Sequence, residues 1–177
     1  MTASKRSFWQ NNLRFIAIAF SILLIVFDQF IKKIAIEKLQ PKSSIPVIKG
    51  FFHFTYVENT GAAFGVMDGR AGILILITSL AILVATFLIL FKRIKKPFLI
   101  WTISLIIAGG VGNLIDRIGK GYVVDYLDLR VINFAVFNFA DCCVVIGTIL
   151  LMLYILFSKN ETSLPLTDDD FNEDETD

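Results

Sequence analysis

Four apolar runs set the limits on how this chain can fold. Leu13 to about Ile34, Gly72 to Phe91, Phe98 to about Ile115 and Cys142 to Phe157 are dominated by Leu, Ile, Val, Phe and Ala, the second without interruption by any charge. A helix rises 1.5 Å per residue, so about twenty such residues cross a ~30 Å hydrocarbon core. The runs predict an all-α membrane protein with four transmembrane helices, 13–34, 72–91, 98–115 and 142–157, in a single domain over residues 1–160. Composition agrees: 55% of the 177 residues are hydrophobic and 17 are Phe, where a soluble domain has nearer 45–50% apolar residues.

The net charge of +1 conceals an uneven distribution. Eight of the 16 acids follow Asn160, so residues 1–160 set all 17 cations against the other eight, a balance of +9. A basic body suits anionic lipid headgroups. It does not suit nucleic acid, because no basic face lies free of the apolar runs. The acidic tail, 161–177, reads as disordered and is assigned no chemistry. Cys142 and Cys143 are adjacent, which excludes a disulfide framework, and His53 is the one histidine, which excludes a Cys/His metal cluster. No metal and no cofactor is expected.

Lys5, Arg6 and Arg14 precede the apolar stretch from Phe15 to Phe27 in the manner of a signal peptide, but no small-residue cleavage site follows, so it is read as a span. Lys92, Arg93, Lys95 and Lys96 crowd the short link between the second and third runs, which predicts that this link is cytoplasmic. Both termini then lie in the cytoplasm, with 35–71 and 116–141 outside. In the first outer segment, Val47 to Val57 reads as one strand carrying His53 on its surface. The glycines and alanines of Glu58 to Gly65 read as a turn leading to a short helix.

The polar residues that remain converge. Every acid outside the tail falls on the outer side, and Asp28, Asp116 and Asp141 lie at the ends of three different spans. Asp28 and Lys32 stand four apart on one helix face, in the favourable acid-then-base order. Ala108 and Gly112 suit close helix packing. Asn113, Asp116 and Arg117 share a face, with Asp116 and Arg117 read as a structural ion pair. Between Gly121 and Asp141, the polar residues Asp125, Asp128, Asn138 and Asp141 interrupt Val, Ile, Phe and Tyr.

Carboxylates this close to hydrocarbon are costly to keep, and so mark function. With no Ser/His/Asp set in view, the available hydrolytic chemistry is two carboxylates sharing one proton, one acid and one base. Spacing leaves open whether Asp125 or Asp128 partners Asp141. An ion path or a non-catalytic assembly module would use the same residues in other ways.

The motifs, taken in order, resemble the bacterial lipoprotein signal peptidase (signal peptidase II) family over roughly residues 10–158. They are Asp28-Gln29-x-x-Lys32, Asn59-x-Gly61-Ala62-Ala63-Phe64, Gly112-Asn113-x-x-Asp116-Arg117, Val124-Asp125-Tyr126 and Phe137-Asn138-x-Ala140-Asp141. The resemblance implies a four-helix bundle with a small extracytoplasmic β-cradle and a short helix, in the bacterial cytoplasmic (inner) membrane with the active site at the outer face. It makes Asp125 and Asp141 the catalytic aspartates. Asp28, Lys32, Asn59, Gly61, Asn113, Asp116, Arg117, Asn138 and Ala140 then bind substrate or support the site. The implied reaction is hydrolysis of a prolipoprotein before its diacylglyceryl-modified cysteine, inhibited by globomycin-type compounds. Tyr126 stands where the family more often has Phe, and the acidic tail is an addition.

Overall fold

The computed structural model describes residues 3–61, 69–132 and 134–158, with side chains from residue 12 onward. Helix α1 is Ala3–Leu39 and leads through a 3₁₀ turn, Gln40–Lys42, to strands β1 (Ser44–Ile48) and β2 (Phe52–Asn59). Helices α2 (Ala71–Leu90) and α3 (Pro97–Lys120) follow. Strand β3 (Val123–Leu129), a second 3₁₀ turn (Arg130–Ile132) and helix α4 (Phe139–Phe157) complete the order. Among the described residues these four helices are long and apolar enough to cross a membrane.

Helix α3 is the spine against which α1, α2 and α4 pack. Pro97 opens it, where a missing N–H costs nothing, and Gly121 closes it in the left-handed region at φ +83°. Small residues let α4 approach closely. A Cβ on Gly109 would strike the Ala140 carbonyl, and one on Gly147 would lie 2.7 Å from Ile106 Cγ1. At the end bearing the basic link, Ala17, Ile89, Ile94, Leu99 and Ile100 form one buried cluster. At the other end, Ala35 and Leu39 bury against Val124 and Tyr126. That contact explains why α1 continues past the expected limit at Ile34. α3 likewise runs on to Lys120, and α4 begins three residues before Cys142.

The sheet is antiparallel in the order β1-β2-β3. The run from Val47 to Val57 is therefore a hairpin rather than one strand, broken where Gly50 adopts φ +74° and the Phe51 N–H reaches the Ile48 carbonyl at 3.0 Å. β1 is an edge strand, the place in a sheet where Pro46 is tolerated. β3 pairs with β2, His53 opposite Asp128 and Val57 opposite Asp125, with a register shift between Phe54 and Val57. The expected short helix after Glu58 falls on 62–68, and the acidic tail on 161–177, both outside the described residues.

Candidate active site

Asp125 and Asp141 reach one site from different elements. Asp125 is the third residue of β3 and is 1% exposed. Asp141 is the third residue of α4, inside a capping box: the Asn138 side chain accepts from the Asp141 N–H (2.9 Å), and Asp141 Oδ2 accepts from the Asn138 N–H (3.0 Å). The local sequence Asn-Phe-Ala-Asp is a variant of the usual Ser/Thr-x-x-Glu/Gln box, and it starts α4 about a turn before Cys142, the earlier start that the sequence allows.

Two asparagines join the two carboxylates. Asn138 Nδ2 donates to Asp125 Oδ1 (2.6 Å) and to Asn113 Oδ1 (3.2 Å), while Asn113 Nδ2 donates to Asp141 Oδ1 (2.7 Å). Asn59, from the end of β2, donates to Asp125 Oδ2 at 2.8 Å. All four carboxylate oxygens thus accept from the protein. Burial, then the charge of Asp141, pushes the Asp125 carboxyl up to about 7, against the opposing pull of Asn59 and Asn138.

Behind this layer lies a buried ion cluster. Lys32 has no exposure, and its Nζ meets Asp28 Oδ2 (2.9 Å), Asp116 Oδ2 (3.1 Å) and Asn113 Oδ1 (2.9 Å). The cation accordingly decides which way the Asn113 amide turns: its oxygen faces Lys32, so its nitrogen faces Asp141. Asp28 Oδ1 accepts from the Ala140 N–H (3.1 Å), and the Tyr126 hydroxyl oxygen accepts from the Phe139 N–H (3.2 Å). The free N–H groups that open α4 are therefore satisfied by α1, by β3 and by its own cap. Gly112 makes room for this, since a Cβ there would lie 2.6 Å from Asp28 Oδ2.

Two readings of the sequence need correction. Asp116 and Arg117 are not an ion pair. Asp116 bonds Lys32, Lys120 Nζ (2.8 Å) and the Val124 N–H (3.2 Å), whereas Arg117 Nη2 donates to the Gly61 carbonyl (2.9 Å). Neighbours in sequence point apart on a helix, and partners come from three or four residues away or from other elements. Gly61 in turn donates its N–H to Asn59 Oδ1 (3.0 Å), so Arg117 braces the turn that holds Asn59.

His53, expected on the surface, is buried, with Ser44 Oγ 3.3 Å from its Nδ1. Asp128, which spacing leaves open as a partner for Asp141, bonds elsewhere. Strand alternation turns it to the face opposite Asp125, where Thr55 Oγ1 (2.6 Å) and Arg130 Nε (2.9 Å) donate to it. Partial burial pulls its carboxyl upward, but these donors hold it below the usual range. Residues Ala62, Ala63 and Phe64 of the expected motif lie outside the described residues.

Asp125, Asp141, Asn59, Asn113 and Arg117 line one end of a cavity of about 680 Å³. Its other walls are mostly apolar and come from three helices, among them Ile77 and Ile82 of α2, Ile107 of α3 and Val145 of α4, and from Phe134 to Phe137 before α4. A pair of carboxylates in partly desolvated, opposed environments, opening onto a greasy cleft, can deliver acid–base hydrolysis to an amphipathic substrate.

Comparison with known proteins bears on this site. The family model described as signal peptidase (SPase) II matches residues 20–157. A lipoprotein signal peptidase of Halothermothrix orenii is 48% identical over 136 residues, covering 76% of this chain and 90% of the relative. Another, of Clostridioides difficile, is 43% identical over 143 residues, covering 80% and 95%. A solved bacterial membrane enzyme, determined by the in meso method, superposes with a TM-score of 0.74 at 31% identity, covering 84% of this chain and 94% of its own.

Proposed function

Because the chain belongs to the signal peptidase II family, we propose that Asp125 and Asp141 are the catalytic pair with which it cuts prolipoproteins. The protein is a multi-pass membrane enzyme, an aspartic-type peptidase that removes signal peptides from prolipoproteins. The observation that carries the assignment of residues is the chain of bonds from Asp125 through Asn138 and Asn113 to Asp141 at the end of the apolar cleft.

Asp125, whose proton is held up to about 7, is the acid and donates to the scissile carbonyl oxygen. Asp141 is the base and takes a proton from the attacking water. Asn59, Asn113 and Asn138 hold the two carboxyls at fixed orientation. Lys32, Asp28 and Asp116 fix the asparagines and the start of α4, with Ala140 donating its backbone N–H to Asp28. Arg117 and Gly61 brace Asn59 beside the cleft.

The scissile bond precedes a diacylglyceryl-modified cysteine, whose acyl chains would occupy the apolar cleft between α2 and α4. The basic link at Lys92–Lys96 supports a cytoplasmic position for both termini, with the sheet and the catalytic pair at the outer face of the inner membrane. Globomycin-type compounds and bilayer lipids are expected partners on the same grounds.

The test is cleavage of a lipidated peptide in vitro. Asp125→Asn and Asp141→Asn each lower the rate by roughly 10²–10⁴-fold or more while the protein still inserts and folds. Normal processing by either variant rejects the pair.

A further inference from the structure

Two turns at the far end of the sheet, the β1–β2 hairpin and the 3₁₀ turn after β3, expose five large apolar side chains: Val47, Ile48, Phe51, Val131 and Ile132. Their exposure runs from 47% at Phe51 to 64% at Ile132. The Arg130 N–H donates to the Phe51 carbonyl at 3.0 Å, which joins the turns into one patch. On a membrane-spanning helix such exposure means contact with lipid; on a sheet it calls for its own account.

The depth of the patch can be read from its neighbours. The Phe134 N–H bonds the Leu129 carbonyl (3.4 Å), and Phe134 lines the cavity together with Leu74, which lies in the first turn of α2. The segment that follows the patch therefore borders the same cleft as the start of a membrane-spanning helix. Lys49 at the hairpin tip flanks the patch, as does the half-exposed Arg130, whose Nε is paired with Asp128. That combination matches the boundary between phosphate headgroups and acyl chains.

We propose that this end of the sheet is inserted into the outer leaflet, with the five side chains among the upper acyl chains and Lys49 and Arg130 among the phosphates. Apolar faces of interfacial elements sit roughly 5–10 Å into that boundary. The inference rests on the membrane spans and not on the catalytic assignment. Its consequence is mechanical: β3 carries Asp125, so anchoring the far end of β3 in lipid holds the catalytic strand down over the cleft.

The experiment places a single tryptophan in the full-length protein. With Trp9→Phe and Trp101→Phe as background, Ile48→Trp, Phe51→Trp and Ile132→Trp are reconstituted separately into phosphatidylglycerol/phosphatidylethanolamine vesicles. Those vesicles contain phospholipid brominated near the top of its acyl chains. Cleavage of a lipidated peptide reports that each variant is folded, and three positions guard against one that is not. The expected result is quenching by brominated lipid of about half or more, with aqueous iodide reaching the tryptophans poorly.

Quenching by iodide but not by brominated lipid overturns the proposal. A second arm pairs Phe51→Asp with Ile132→Asp. KM rises several-fold in vesicles and stays within about twofold in detergent micelles, with kcat unchanged in both. An equal loss in micelles and vesicles means that the patch grips the substrate polypeptide instead, and sinks the proposal.

Discussion

Asp125 accepts hydrogen bonds from both Asn59 and Asn138, yet burial and the charge of Asp141 push its carboxyl up to about 7. The proposed acid role of Asp125 needs that proton, so kcat/KM is expected to fall as pH rises through about 7. Asn59→Ala removes a donor that favours the charged form, and the alkaline limb moves to higher pH; a limb that stays in place refutes the role given to Asn59. Stability follows the same proton. The folded value lies above the ordinary 3.8, so the folded state binds the proton more tightly than the unfolded chain does. The stability tied to it is complete below the ordinary value and is lost as pH rises through about 7. The thermal midpoint of the wild type in detergent therefore declines across that window, and Asp125→Asn, which has no proton to lose, flattens the decline.

The helices owe their geometry at the site to a few contacts that a substitution can remove. Lys32 joins Asp28 of α1 to Asp116 of α3. Lys32→Met leaves Asp28 buried without a cation, while Asp116 keeps Lys120, and costs about 3–5 kcal/mol, read from denaturant unfolding in micelles. Adding Asp28→Asn to that variant recovers part of the loss, because the uncompensated charge goes. Gly147→Val drives a side chain into Ile106 and the Thr102 carbonyl and costs about 1–3 kcal/mol by forcing α4 off α3.

What the sequence disclosed divides along the same lines. Helices announced themselves through runs of Leu, Ile and Val, and Asp28 with Lys32 through i+4 spacing. The hairpin stayed hidden because only Lys49 and Gly50 interrupt the β-branched and aromatic run, and the positive φ of Gly50 marks the turn. Strand β3 was hidden because Asp125 and Asp128 look alike in sequence, while pairing with β2 sends them to opposite faces. Of the partners of Asp116, Lys120 stands at i+4, but Lys32 comes from α1, and Arg117 bonds the turn after β2, contacts that no local spacing encodes.

At the scale of the molecule, the spans give the site an address. Asp28, Asp116, Asp125 and Asp141 gather at one end of the bundle, and Lys92, Arg93, Lys95 and Lys96 lie at the other, beside the buried cluster of Ala17, Ile94 and Leu99. Cations in a short link are retained in the cytoplasm, and on that ground the proposed orientation turns the carboxylates outward, where a translocated precursor would present its cleavage site. Two single-cysteine variants test this in a background of Cys142→Ala and Cys143→Ala. A membrane-impermeant thiol reagent applied to intact spheroplasts labels Lys42→Cys, in the turn after α1, and spares Lys95→Cys until the membrane is opened. The reverse pattern would put the carboxylates in the cytoplasm, out of reach of any substrate already carried across, and the peptidase mechanism would lose its access to the bond. Labelling of both sites in sealed cells would instead mean that the α2–α3 link is not held inside, and the charge argument for orientation would fail while the geometry of the site stood.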